Sequence, residues 1–184
     1  MPVLLPPKEQ VLKLKVCLVG EFAVGKTSLV NRFVHNTFQA RYMATIGAKI
    51  QKVDMRVDQS RIIMTLWDIM GEKGFRELLR EAYFEGANGL VAACDLTRPG
   101  SLLDLEDWIA AVYRISGRVP MVIVANKSDL TEHTVVTEEE VEAFALRHGC
   151  EYFVTSAKTG EGVEDAFLAI GRGMARLAGT SDGA

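Results

Sequence analysis

Gly20-Glu21-Phe22-Ala23-Val24-Gly25-Lys26-Thr27 decides the fold, because it matches G-x-x-x-x-G-K-[ST] and lies between an apolar run and a segment of helical period. A chance match somewhere in a chain of this length has a probability of roughly one per cent before that placement is demanded. The residue types fit one chemistry. Glycines let the loop curl its N–H groups inward into a nest for phosphate oxygens, and the helix that follows adds the positive end of its dipole. Lys26 is expected to reach the β- and γ-phosphates, and the Thr27 hydroxyl to ligate Mg²⁺, a hard ion that takes oxygen donors. Gly20, Ala23, Val24, Gly25, Lys26, Thr27 and Ser28 are therefore the expected phosphate-side residues.

Outward from this loop, Leu14 to Val19 reads as the first strand, and Gly25 to His35 as a helix with Leu29, Val30 and Phe33 on one face. Gly47 to Val57 and Arg61 to Asp68 alternate in period two around Asp58-Gln59-Ser60, which predicts a hairpin and one antiparallel strand. Gly89 to Cys94 and Met121 to Ala125 are continuously apolar, as strands covered on both faces are. Helices are predicted over Ser101 to Ser116, with Ser101 as its cap, and over Thr137 to His148, where Thr137 and Glu140 form a capping box and Gly149 stops the helix. A short strand at Tyr152 to Thr155 and a helix from Val163 to about Leu177 end the pattern. The alternation predicts an α/β protein with a mostly parallel sheet. The expected organisation is a flexible arm over 1–12, one domain over 13–178 and a flexible tail over 179–184.

Composition bounds the function. The 184 residues are 48% hydrophobic, enough for one sizeable core, and 21 basic against 24 acidic residues give a net charge of -3. That balance offers no general attraction to nucleic acid or anionic membrane, so any anion site must be local. Cys17, Cys94 and Cys150 have no paired spacing, which suggests a reducing cytoplasm and, with three scattered histidines, gives no support to a zinc site. The start carries Pro2, Pro6 and Pro7 without a signal peptide's apolar stretch.

A second motif selects the base. Asn126-Lys127-Ser128-Asp129 stands at the end of the strand Met121 to Ala125, where ligands of open α/β sheets gather. A carboxylate at Asp129 can accept from guanine N1–H and from its exocyclic amine, whereas adenine would leave buried groups unpaired. Lys127 can lay its stem along the base, Asn126 can tie neighbouring loops together, and in Ser156-Ala157-Lys158 the Ala157 N–H can donate to guanine O6.

Together, Gly20 to Thr27, Thr45-Ile46-Gly47, Asp68-Ile69-Met70-Gly71, Asn126 to Asp129 and Ser156 to Lys158 resemble the five guanine-nucleotide motifs of the Ras superfamily, in order, from about Leu14 to Leu177. Tyr42 to Gly47, Trp67-Asp68, Phe75-Arg76 and Tyr83 to Ala87 look most like its Rab branch. The resemblance implies a G domain with a six-stranded sheet of order 2-3-1-4-5-6, strand 2 antiparallel, and five surrounding helices. It implies a switch that binds GTP or GDP with Mg²⁺ and hydrolyses GTP, and partners that are effector, exchange and activating proteins. Thr45 would ligate Mg²⁺, Asp68 would reach it through water, and the Gly71 N–H would contact the γ-phosphate; Phe38 would pack on the base edge and Tyr42 would close over the phosphates.

The short connection between His35 and Thr45 leaves no room for the helical insert of Gα proteins, and Thr131 to Val136 is too short for a Rho-type insert. Met1-Pro2 lacks the glycine for myristoylation, and no cysteine follows Cys150, so the chain as it stands is expected to carry no membrane anchor of its own. Three positions depart from the family pattern. Phe22 replaces a small residue, and two readings stay open: its ring crowds an activator's arginine, or it packs on the second switch. Ile69-Met70 replaces Thr-Ala, either as a partner surface or as packing beneath a helix. Glu72 stands where a water-orienting glutamine is usual, and it joins Gly71 and Lys26 as a candidate catalytic residue in a slow hydrolysis.

Overall fold

The structure, a computed structural model, describes residues 11–41, 43–72 and 82–181. The expected arm up to residue 10, Tyr42, Phe75-Arg76 and residues 182–184 lie outside them. The elements are β1 (Val11–Val19), α1 (Lys26–His35), β2 (Ala48–Val57), β3 (Ser60–Ile69), β4 (Gly89–Asp95), α2 (Pro99–Leu103), α3 (Leu105–Ser116), β5 (Met121–Asn126), α4 (Glu138–His148), β6 (Glu151–Thr155) and α5 (Val163–Ser181), with a 3₁₀ turn at Thr131–His133. They form a six-stranded sheet of order β2-β3-β1-β4-β5-β6. Among the described residues only the β2–β3 pairing is antiparallel; β1 pairs with β3 and with β4 in parallel, as do β4 with β5 and β5 with β6.

Why the strands at the centre read as unbroken apolar runs is visible in their two faces. Successive residues of β1 point alternately up and down, so Cys17 and Val19 enter one core while Val16 and Leu18 enter the other. The same split divides β4, with Leu90, Ala92 and Cys94 on one side and Val91 and Ala93 on the other. Trp108 and Val112 of α3 and Phe144 of α4 cover the first face; Leu29 and Val30 of α1 and Phe167 and Ile170 of α5 cover the second. Phe33 of α1 stacks on Phe167 with ring centroids 4.2 Å apart, which ties the two helices of that layer. Full burial of one such ring stabilises the fold by about 2–3 kcal/mol.

Several expectations shift at the edges. β1 begins at Val11, inside the expected arm, because β3 offers it a partner from Val11↔Arg61 onward. The helix predicted over Ser101 to Ser116 begins at Pro99 and breaks into α2 and α3 at Asp104. Ser101 is therefore not its cap: Arg98 occupies that place, and the Ser101 hydroxyl, donating to the Arg98 carbonyl at 2.7 Å, accepts the Asp95 N–H at 2.9 Å. Proline at the first turn needs no N–H partner, so it starts the helix earlier than a serine cap would. The last helix continues to Ser181, four residues past Leu177. The capping box at Thr137 and Glu140 and the left-handed stop at Gly149 are present as predicted.

Strand order places the site. The chain leaves β1 toward β2 and β3 and returns across the sheet to β4, so the connections diverge at the carboxyl ends of β1 and β4, the crevice in which open α/β sheets hold ligands.

Candidate functional site

Between β1 and α1 the backbone takes positive φ at Gly20 (138°), Ala23 (59°) and Gly25 (103°), the reversals that curl the loop. Two of these glycines also meet close neighbours. A Cβ on Gly20 would lie 2.1 Å from the Ala93 carbonyl oxygen, and one on Gly25 would lie 2.3 Å from Asn126 Nδ2. The loop is thus pressed onto β4 on one side and onto the second motif on the other. Inside it, the buried Lys26 ammonium donates to the Gly20 and Glu21 carbonyls at 2.7 and 2.9 Å. Burial lowers its pKa to about 8 against the opposing pull of Asp68 and Glu21. A buried cation with carbonyls for partners is stabilised further by any anion brought to the loop.

Three hard oxygens converge beside it. Thr27 Oγ1 lies 3.0 Å from Thr45 Oγ1 and donates to Asp68 Oδ2 at 2.5 Å, while Thr45 Oγ1 lies 3.4 Å from the same carboxylate oxygen. Burial raises the Asp68 pKa, opposed by the Thr27 hydrogen bond and by Lys26. Its other oxygen, Oδ1, is buried with no hydrogen-bond partner among the described residues. These residues fit Mg²⁺. Adjacent ligands of an octahedral Mg²⁺ at about 2.05 Å stand roughly 2.9 Å apart, close to the 3.0 Å between the Thr27 and Thr45 hydroxyls, and a metal-bound water would satisfy the orphaned Oδ1.

At the base end, Asn126 is buried and fully engaged. Its Nδ2 donates to the Val24 carbonyl at 2.9 Å, and its Oδ1 accepts from Thr155 Oγ1 at 3.2 Å and from the Ala157 N–H at 3.1 Å. The tie between loops expected of Asn126 is therefore present. The Ala157 N–H, expected to face guanine O6, instead points to Asn126, because the turn after β6 folds back onto β5. Asp129 Oδ1 accepts from Ser156 Oγ at 2.7 Å, and Lys158 Nζ stands 3.8 Å from its other oxygen. Lys127 takes positive φ of 72° and donates to Asp95 Oδ2 at 2.6 Å.

Asp95 was not among the sequence candidates. Burial would raise its pKa, but the bonds from Lys127 and Thr97 outweigh that and lower it, so the carboxylate stays charged. Arg98 donates to the same oxygen at 3.0 Å and to the Phe22 carbonyl at 2.6 Å, which links the lysine of the base motif to the phosphate loop. An acid at the carboxyl end of a central strand was the available signal for Asp95; nothing in the sequence marks Arg98.

One cleft of about 550 Å³ runs between the two ends, lined by Gly25 through Ser28, by Phe38, Thr45, Asp68 and Gly71, and by Asn126, Lys127, Asp129, Ala157 and Lys158. Ala23 lines it as well. Gly20 and Val24 act from behind, the first against Ala93 and the second in the core. Ser156 stands behind Asp129. Gly71 lies against the phosphate loop so closely that a Cβ on it would be 2.5 Å from Glu21 C and Phe22 N. Glu72 is exposed and does not line the cleft. Phe22, 39% exposed, lines it together with Met70 and Ile69, the last of which is buried and also packs in the layer of α3.

The model of the Ras family matches residues 15–176 of this chain. The sequence is 38% identical over 156 residues to "Ras-related protein Rab-18" of Caenorhabditis briggsae, covering 84% of this chain and 76% of that protein. It is 34% identical over 161 residues to "Ras-related protein Rab-32C" of Dictyostelium discoideum, covering 86% and 71%. Against "Ras-related protein Rab-8" of Diplobatis ommata the identity is 33% over 159 residues, covering 86% and 75%.

Proposed function

The chain belongs to the Ras family and is a Rab-like small GTPase switch, and from that premise we propose that its cleft binds GTP and GDP with Mg²⁺ and that the protein hydrolyses GTP slowly. The observation that carries this is the single cleft joining a phosphate loop, a cluster of three hard oxygens and Asp129. Gly25 to Ser28 hold the phosphates, Asp129 reads the base, Phe38 covers its edge, and Thr27 and Thr45, with Asp68 beside them, would hold Mg²⁺. The metal supplies neutralisation of the phosphate charge. Lys26 adds a positive charge at the γ-phosphate, where Gly71 provides an N–H. GTP orders the segments around Thr45 and Gly71, and effector proteins read that form.

Hydrolysis turns on Glu72. A carboxylate can orient a water as an amide does, but it also brings negative charge toward the γ-phosphate. At about 4 Å that repulsion is roughly 1 kcal/mol in water and about 4 at an effective dielectric of 20, comparable with the benefit. The exposure of Glu72 and its absence from the cleft lining favour a second reading, in which the protein holds nucleotide persistently and recruits partners without turnover. Single-turnover hydrolysis by the native chain, Glu72→Gln and Glu72→Ala, each loaded with Mg²⁺-GTP, separates them. The proposal expects slow native hydrolysis that falls further in Glu72→Ala; equal rates in native and alanine forms support persistent binding.

A further inference from the structure

Arg32 lies in the last turn of α1, outside every motif used so far, yet its guanidinium makes four hydrogen bonds. Nε donates to the Ala157 carbonyl at 2.9 Å and Nη2 to the Lys158 carbonyl at 2.5 Å; Nη1 donates to the Asn36 side-chain oxygen at 2.9 Å and to its carbonyl at 3.3 Å. Asn36, left-handed at φ 51°, returns its N–H to the Arg32 carbonyl at 2.9 Å and so closes the helix. Gly160, on the far side of the turn, has a Cβ position 3.5 Å from Arg32 Cδ, so the turn folds over the arginine's stem. A planar fork of five donors can hold several oxygens of one turn at once, which an ammonium cannot.

The consequence for the base follows from peptide geometry. No cis peptide occurs among the described residues, so each N–H points opposite to the carbonyl of its own peptide unit. Drawing the Ala157 carbonyl toward α1 therefore turns the Lys158 N–H away from α1, and drawing the Lys158 carbonyl does the same to the Thr159 N–H, which meets Ser156 Oγ at 3.1 Å. The Ala157 N–H is taken by Asn126. That leaves the Lys158 N–H, in a residue lining the cleft, without an acceptor among the described residues.

We infer that Arg32 is a positioning residue for guanine: it holds the Ser156–Lys158 turn so that the Lys158 N–H is presented to the base oxygen, and it anchors that turn to Asn36, where the segment leading to Thr45 begins. The inference rests on the reading of the cleft as a guanine-nucleotide site.

The test measures release of GDP and of 6-thio-GDP, which differs only in the atom at C6, from the native protein, Arg32→Ala and Arg32→Lys, with folding of each nucleotide-bound form checked by circular dichroism. Release of GDP is expected to be about tenfold faster in Arg32→Ala and intermediate in Arg32→Lys. The native preference for GDP over the 6-thio analogue should narrow in step. Unchanged GDP release overturns the inference, and so does equal acceleration for both nucleotides, which is what a merely structural arginine produces. Should Arg32→Ala not fold, Arg32→Lys decides by the same two readouts. A native protein that retains neither nucleotide removes the guanine reading itself and the inference with it.

Discussion

Under the proposed function Asp129 and Thr27 carry the two selective tasks of the cleft, and each can be removed by changing a single atom group. Asp129 has one oxygen held by Ser156 Oγ at 2.7 Å and a second near Lys158, so the carboxylate is fixed while still able to accept from a base. In Asp129→Asn an acceptor becomes a donor: guanine's amine loses its partner and xanthine's carbonyl gains one. GTP affinity is expected to fall by about a hundredfold or more while xanthosine triphosphate binding improves, measured by competition titration. An unchanged preference removes Asp129 from base recognition. Thr27→Ala takes away one of the three oxygens proposed for Mg²⁺, and the loss matters more when a γ-phosphate shares the metal. GTP affinity should therefore fall more than GDP affinity at saturating Mg²⁺; equal losses would leave Thr27 as a residue of the helix start alone.

Among elements, α4 separates stability from function. Thr137 accepts the Glu140 N–H at 3.2 Å, and Glu140 returns a carboxylate to the Thr137 N–H at 2.8 Å, in a helix that packs on β5 and β6 through Val141 and Phe144 but contributes nothing to the cleft lining. Thr137→Ala should cost about 1 kcal/mol and lower Tm by roughly 2–4 °C in the GDP-bound protein, with GDP affinity unchanged. A coupled loss of affinity would show that the element reaches the site. This box was legible in sequence because capping is local: donors and acceptors three residues apart need no knowledge of the fold. The split at Asp104 was not, since Pro99 starts the helix early and Ser101 is drawn to Asp95, a partner that only the end of β4 supplies. The same reason hid the work of Arg98 and Arg32. Their distant partners, the Phe22 carbonyl for one and the Ala157–Lys158 carbonyls for the other, are contacts made by tertiary approach rather than by spacing along the chain.

Taken as a whole molecule, the protein is a sheet whose two faces are sealed by separate cores, so that its carboxyl edge is where the loops are free to differ. Strand order was legible only through the resemblance to the Ras superfamily; the residues themselves marked β4 and β5 as covered on both faces and the hairpin as an antiparallel pair. The cleft's two ends were legible as motifs, and so was a tying role for Asn126, which reaches Val24; the tie from Lys127 through Asp95 and Arg98 to Phe22 was not. Under the proposed function those ties couple base and phosphate recognition, and a nucleotide is expected to bind tightly only when it satisfies both ends. The most direct test is displacement of a fluorescent GDP from the native protein in Mg²⁺ by GDP, GTP, ADP and ATP. The account predicts displacement by both guanine nucleotides near stoichiometric concentration, adenine nucleotides weaker by about a thousandfold or more, and faster release once Mg²⁺ is chelated. Displacement by ATP at concentrations matching GTP, with release indifferent to chelation, would contradict it.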